Sequence, residues 1–223
     1  MPFDLIIFDC DGVLIDSELL ACQAGVSALA ELNIHYDLHD FMRRFVGRSA
    51  ADCRRELEAA HGPLPTEYHA RSEALRLEAF ERHLQPIPGV EAVLETLQGP
   101  RCVASSSSPE RLAHSLGLTG LQRHFGEHVY SSSMVARGKP APDLFLHAAS
   151  RLGAAPGRCV VIEDSVAGVQ AGIAAGMTVL GFTGASHCPP DHAQTLTRAG
   201  AHATFAHMSG LPALLARSGY VRA

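Results

Sequence analysis

From Gln85 onward, short apolar runs alternate with segments of helical periodicity, and this alternation restricts the fold more than any other feature of the chain. Strand-like runs at Arg101–Ser105, His128–Ser131, Cys159–Glu163, Thr178–Phe182 and His202–Phe205 are separated by helical spacing at Val90–Leu97, from Pro109, at Asp143–Leu152 and at Val166–Ala175. Alternating β and α units form a parallel sheet with helices on both faces. One further strand precedes them, the apolar run that ends at Phe8. Between it and Gln85 the alternation stops. Residues 17–84 read as helical throughout, with Leu19, Leu20, Val26, Leu29 and Leu32 on one helix capped by Asp16 or Ser17. Arg-, Glu- and Ala-rich helices follow at Ala50–His61 and Thr66–His83, separated by Gly47 and by Gly62-Pro63-Leu64-Pro65. The expected architecture is α/β: a Rossmann-like, doubly wound parallel-sheet core (1–16 and 85–223) with an inserted α-helical cap domain (17–84).

Composition removes several function classes. The 223 residues are 47% hydrophobic and 18% charged, enough for a sizeable core. A formal net charge of −5 leaves no basic footprint for nucleic acid, so an anionic ligand must be held by a local group of cations and amides. The six cysteines form no CxxC pair and several lie in apolar runs, which fits reduced, buried thiols. Histidine pairs at i, i+4 (His35/His39, His124/His128) have no cysteine or carboxylate partners that would make them metal sites. Asp4 and Asp9 interrupt the only N-terminal apolar run, and no run approaches membrane-spanning length. The reading is a cytoplasmic protein, a monomer or weak oligomer, whose partner is a small molecule.

The chemistry starts at the end of the first strand, Asp9-Cys10-Asp11-Gly12. Side chains alternate along a strand, so Asp9 and Asp11 share one side, and Gly12 permits a tight turn immediately after. Two carboxylates this close repel each other unless a cation stands between them, and the pair reads as a Mg²⁺-dependent phosphoryl-transfer site. Three more polar stations each follow a strand-like run. Ser105-Ser106-Ser107-Ser108-Pro109 puts hydroxyls and amides at a helix start, where an anion is well received. Lys139 lies between Gly138 and Pro140, which stiffen its base, and Glu163-Asp164 ends the most apolar strand. Singly, these would be a cap, a solvated lysine and a pair of capping acids. Their common position beyond strand C-terminal ends, where ligands bind in such sheets, is what joins them.

Taken together, the four stations resemble the four motifs of the haloacid dehalogenase superfamily, and the helical insert resembles the subfamily that contains β-phosphoglucomutase and many sugar-phosphate phosphatases. The resemblance implies that Asp9 is the nucleophile that becomes an aspartyl-phosphate, and that Asp11 is the general acid/base. It implies Mg²⁺ held by Asp9, the backbone carbonyl of Asp11 and Asp164, with Glu163 nearby. Ser105 and the Ser106 amide would bind phosphoryl oxygens, and Lys139 would neutralise charge. A cap pivoting near Ser17 and Pro86–Pro88 would close over substrate.

Asp11 separates the chain from the superfamily's metal-free dehalogenases and phosphonate hydrolase, whose patterns lack it. Against the mutases, the chain has Ala21 where they carry a cap-helix histidine, Ser108 where they carry a lysine, and Ala50 near their cap arginine. A mutase needs cations for a second phosphate. A phosphatase of small phosphorylated metabolites (sugar or sugar-acid monophosphates) is therefore expected. The mutase is the alternative, and a non-catalytic metabolite-binding regulator a third. Gly47 and Arg48 of the cap loop are candidate substrate contacts, with Arg43 and Arg44 beside them.

Overall fold

The computed structural model describes residues 3–46 and 50–218. Gly47 and Arg48 lie outside the described residues. The chain divides into two compact units, parting between Asp16 and Ser17 and again between Leu84 and Gln85.

The first unit is built on a six-stranded sheet. In chain order its strands are β1 (Leu5–Phe8), β2 (Arg101–Ser105), β3 (Val129–Ser131), β4 (Cys159–Glu163), β5 (Thr178–Phe182) and β6 (Ala203–Phe205). Their spatial order is β3-β2-β1-β4-β5-β6, every pairing parallel. The apolar runs are continuous because β1, β4 and β5 are buried along their whole length, as strands covered on both faces must be. Their cores are filled by Leu5, Ile7, Cys102, Phe145, Val161, Val169 and Val179.

The order runs outward from β1 in both directions, so the sheet reverses its winding between β1 and β4. Crossovers on opposite faces part there and leave a crevice beyond the strands' C-terminal ends. Register brings Phe8 opposite Val103 and Ile162, and the Asp9 amide donates to the Ile162 carbonyl at 2.9 Å. One residue further along, Asp9, Ala104 and Glu163 therefore stand in a row at the mouth of the crevice.

The helices of the second unit are α1 (Glu18–Ala30), α2 (Leu38–Phe45), α3 (Ala50–His61) and α4 (Thr66–His83). α1 packs along α4, and Cys22, Leu29, Phe41, Phe45, Leu57, Leu64 and Tyr68 form their core. The Phe41 ring lies close to Gly25, where a Cβ would meet it at 3.2 Å. Arg43 pairs with Asp40 and Arg44 with Glu56, so both arginines are engaged within this unit.

Around the sheet lie α5 (Val90–Thr96), α6 (Pro109–Leu118), α7 (Asp143–Arg151), α8 (Val166–Ala174), α9 (His192–Arg198) and α10 (Leu211–Ser218). Strand limits differ from the sequence reading by one residue at β3 and β6. One feature differs more. The side chain of Ser17 occupies the cap position of α1 without making a capping bond, and Asp16 is turned away to Ser186. The last helix, α10, is anchored by buried Leu211 and Leu215. No helix among the described residues is long and apolar enough to cross a membrane.

Candidate active site

Gly12 lets the chain turn sharply after β1. Its φ is +77°, a region that a side chain disfavours, and an added Cβ would stand 2.0 Å from Asp164 Oδ2. The Cys10 carbonyl accepts from Leu14 and Ile15 at 2.9 and 3.1 Å, closing the loop and presenting both aspartates at the crevice.

Lys139, in the loop between β3 and α7, reaches into the row formed by Asp9, Ala104 and Glu163. Its ammonium donates to Asp9 Oδ1 at 2.7 Å, Glu163 Oε1 at 2.6 Å and the Ala104 carbonyl at 3.0 Å. An ammonium has three protons, and all three are used. With 4% side-chain exposure, Lys139 is held charged by these partners: burial alone would lower its pKa, but Asp9 and Glu163 together raise it. Glu163 is also fully committed, since its second oxygen accepts from the amide and hydroxyl of Ser165, both at 2.9 Å. Gly168, in the first turn of α8, leaves room for that carboxylate; a Cβ there would come within 1.8 Å of Oε1.

Asp9, Glu163 and Asp164 form a group of three buried residues whose carboxylate oxygens lie within 4.8 Å of one another, a cluster that could hold a metal ion. Burial pushes the Asp9 carboxyl well above the usual range; Lys139 opposes this, and the neighbouring carboxylates add to it. Among the described residues Asp9 Oδ2 and Asp164 Oδ1 accept no hydrogen bond.

The Asp11 side chain takes another direction. Its Oδ2 accepts from Ser107 Oγ at 2.7 Å and, at the long distance of 3.5 Å, from Ser105 Oγ. The Ser105 hydroxyl in turn accepts from the Ser107 amide at 3.1 Å. Ser106 is exposed and its carbonyl accepts from Ser132 Oγ at 3.0 Å, while Ser108 caps α6 by accepting from the Arg111 amide at 3.3 Å. The four serines thus divide into site (Ser105, Ser107), rim (Ser106) and cap (Ser108).

Three side chains to which the sequence reading gives no role of their own stand in this site. Ser107 is one, and the period-two spacing from Ser105 was its signal. The other two come from the loop after β5 and the start of α9. His187 Nε2 pairs with Asp164 Oδ2 at 3.0 Å and also lies 3.7 Å from Cys188 Sγ, and His192 Nε2 donates to the Asp164 carbonyl at 2.6 Å. Burial works against charge on the His187 ring, but its bonds to Asp164 and Cys188 outweigh that and raise its pKa to about 11. Ser186-His187-Cys188 has no spacing that would announce it, because its partner Asp164 follows a different strand, β4.

The sequence-predicted residues Asp9, Asp11, Ser105, Ser106, Lys139, Glu163 and Asp164 all lie at this one end of the sheet. The geometry offers a buried carboxylate with one oxygen on a cation, a second carboxylate held by hydroxyls, and a cluster of acids short of positive charge. That is an arrangement for nucleophilic attack and proton transfer at a polyanion.

The chain is similar to known proteins along nearly its whole length. Residues 3–176 match the family model described as haloacid dehalogenase-like hydrolase. The chain is 33% identical over 221 residues to the 6-phosphogluconate phosphatase of Escherichia coli (strain K12), covering 97% of this chain and 96% of that protein. The crystal structure of a conserved haloacid dehalogenase-like protein of unknown function from Agrobacterium tumefaciens str. C58 superposes with a TM-score of 0.86 at 43% identity, covering 97% of this chain and 99% of that one. A hydrolase of the same family from Deinococcus radiodurans R1, solved with bound phosphate and sodium, gives 0.82 at 38% identity, covering 98% of this chain and 97% of that one.

Proposed function

The chain belongs to the haloacid dehalogenase-like hydrolase family and is a phosphatase, and from that premise we propose that it hydrolyses sugar or sugar-acid monophosphates by a Mg²⁺-dependent, two-step mechanism. Residues 1–16 and 85–223 would be the catalytic core and residues 17–84 its helical cap domain. The observation that carries the proposal is Lys139 bonded to Asp9 Oδ1, which leaves Oδ2 as the nucleophilic oxygen.

The donor set fits Mg²⁺, a hard cation that takes oxygen ligands and keeps several waters. Asp9, Asp164 and the Asp11 carbonyl would hold it, with Glu163 behind them. When bound, it supplies neutralisation of charge on the transferring phosphoryl group. The remaining work belongs to this chain's side chains. Asp9 Oδ2 attacks phosphorus as the bond to the leaving oxygen breaks, and Asp11 gives that oxygen its proton. Asp11 then takes a proton from water as the water attacks the aspartyl-phosphate, releasing inorganic phosphate and restoring Asp9. Lys139 keeps the charge on Asp9 balanced, and the Ser105 hydroxyl and Ser106 amide bind phosphoryl oxygens. The similarity to a 6-phosphogluconate phosphatase supports a sugar-acid phosphate as substrate.

The test is a phosphate-release screen over sugar and sugar-acid phosphates with Mg²⁺ and with EDTA, repeated on Asp9→Asn. Turnover that survives EDTA, or that is unchanged by the substitution, refutes the mechanism. Isomerisation of a hexose phosphate without phosphate release would mark a mutase, and tight metabolite binding without turnover a regulator.

A further inference from the structure

Asp164 is gripped at both ends by a single segment of chain. His192 Nε2 holds its carbonyl at 2.6 Å and His187 Nε2 holds its Oδ2 at 3.0 Å. The His187 side chain is only 3% exposed and its Nδ1 is buried without a hydrogen-bond partner, so its polar contacts run through Nε2, which faces Asp164 Oδ2 at 3.0 Å and Cys188 Sγ at 3.7 Å. The opposite wall is the Gly12 turn: a Cβ there would stand 2.0 Å from Asp164 Oδ2 and 2.8 Å from His187 Cε1. The carboxylate and the imidazole therefore both lie against the space that a side chain at residue 12 would fill.

The loop that carries His187 is itself fixed. Ser186, the preceding residue, donates its amide and hydroxyl to Asp16 Oδ1 at 3.1 and 2.8 Å. The Cys188 amide closes a turn onto the Ala185 carbonyl at 3.1 Å. His187 is thus presented from a rigid base, and its reach ends at Asp164. Among the described residues it is outside the group of mutually close ligand atoms, which is Asp9, Glu163 and Asp164.

We propose that His187 is a positioning residue for Asp164: its Nε2–H occupies Oδ2, which fixes the carboxylate rotamer and turns Oδ1 toward Asp9 to serve as the metal-binding oxygen. The proposal rests on the reading of Asp9 and Asp164 as metal ligands. Groups that hydrogen-bond to a ligating carboxylate restrict its orientation, and their loss typically weakens metal affinity by about 10–100-fold.

The test is direct metal binding, with no substrate present. Full-length protein is titrated with MnCl₂ and free Mn²⁺ is read from its EPR signal, for wild type, His187→Leu, His187→Asn and His187→Gln, with thermal melting of each. A glutamine amide reaches the position of Nε2; an asparagine amide stops short at the position of Nδ1. His187→Leu and His187→Asn are expected to bind Mn²⁺ about tenfold or more weakly, while His187→Gln stays within about threefold of wild type. If the leucine variant does not fold, the asparagine–glutamine contrast carries the test. Equal affinity in wild type and a folded asparagine variant overturns the positioning role, as does failure of glutamine to rescue. A wild-type protein that binds no Mn²⁺ overturns the metal-site reading itself, a result separable from either.

Discussion

Replacing Lys139 with methionine isolates the charge that the buried carboxylates depend on. Methionine keeps most of the aliphatic stem, including its packing toward Phe145, whose ring centroid lies 5.0 Å from the ammonium. What is removed is one cation and three hydrogen bonds, two of them to Asp9 and Glu163. Breaking a buried pair from one side leaves the partner's charge uncompensated and costs about 3–5 kcal/mol. A domain's whole stability is about 5–15 kcal/mol, so the variant should fold but with a large part of its margin gone.

The pH dependence has a definite sign. Lys139, whose pKa is raised, contributes fully at every pH below the ordinary lysine value, so its contribution is constant between pH 5 and 8. Asp9 is already pushed upward by burial, and loss of the opposing ammonium pushes it further. The folded variant thus holds a proton that the unfolded chain has released, and its stability falls as pH rises from the usual carboxylate range through the raised value. The gap between wild type and variant should widen with pH, by at most about 1.4 kcal/mol per pH unit for one proton. The assay is urea unfolding followed by circular dichroism at pH 5, 6.5 and 8, in EDTA so that no divalent cation replaces the lost charge. A loss below about 1 kcal/mol at pH 8, or a gap that does not change with pH, would refute this account of the site.

Three shorter predictions follow from the same geometry. Gly12→Ala must displace Asp164 and strain a left-handed turn, so phosphate release should fall by about 10²-fold or more, with loss of about 1–2 kcal/mol in stability; wild-type turnover would sink the argument. Ser107→Ala removes the 2.7 Å bond to Asp11 Oδ2, the shorter of its two serine contacts, so kcat should drop about tenfold; an unchanged kcat would show that Ser107 does not hold Asp11. Burial alone would raise the Cys188 thiol, but hydrogen bonds with His187 and His192 lower it, whereas burial lifts Cys22 to about 12 and Cys159 to about 11. Iodoacetamide at neutral pH should therefore modify Cys188 ahead of Cys22, Cys102 and Cys159, as read by peptide mapping.

Much of the fold was legible because it is written in local patterns. Continuous apolar runs of four or five residues are what a doubly covered strand requires, and β2, β4 and β5 fall where the runs fall. The Asp9-Cys10-Asp11-Gly12 stretch was legible for the same reason, since strand alternation and a tight turn are properties of neighbouring residues. Asp11 was less so. Its pairing with Ser107 depends on how a loop 96 residues further along the chain turns after β2.

Taken by itself, the chain's order of residues determined the α/β alternation, the interruption after the first strand, and the types of side chain that reach the ends of the strands. Tertiary structure decided how those side chains divide the work. The row of Asp9, Ala104 and Glu163 exists because β1 lies between β2 and β4, and only then can one ammonium from a distant loop satisfy all three. Likewise, His187 becomes a partner of Asp164 only because β5 packs beside β4 and aims its following loop back at the crevice. Local sequence controls conformation over a few residues through backbone sterics and periodic burial. The electrostatic partners of a buried site are set by strand order, and strand order is decided when the whole sheet assembles.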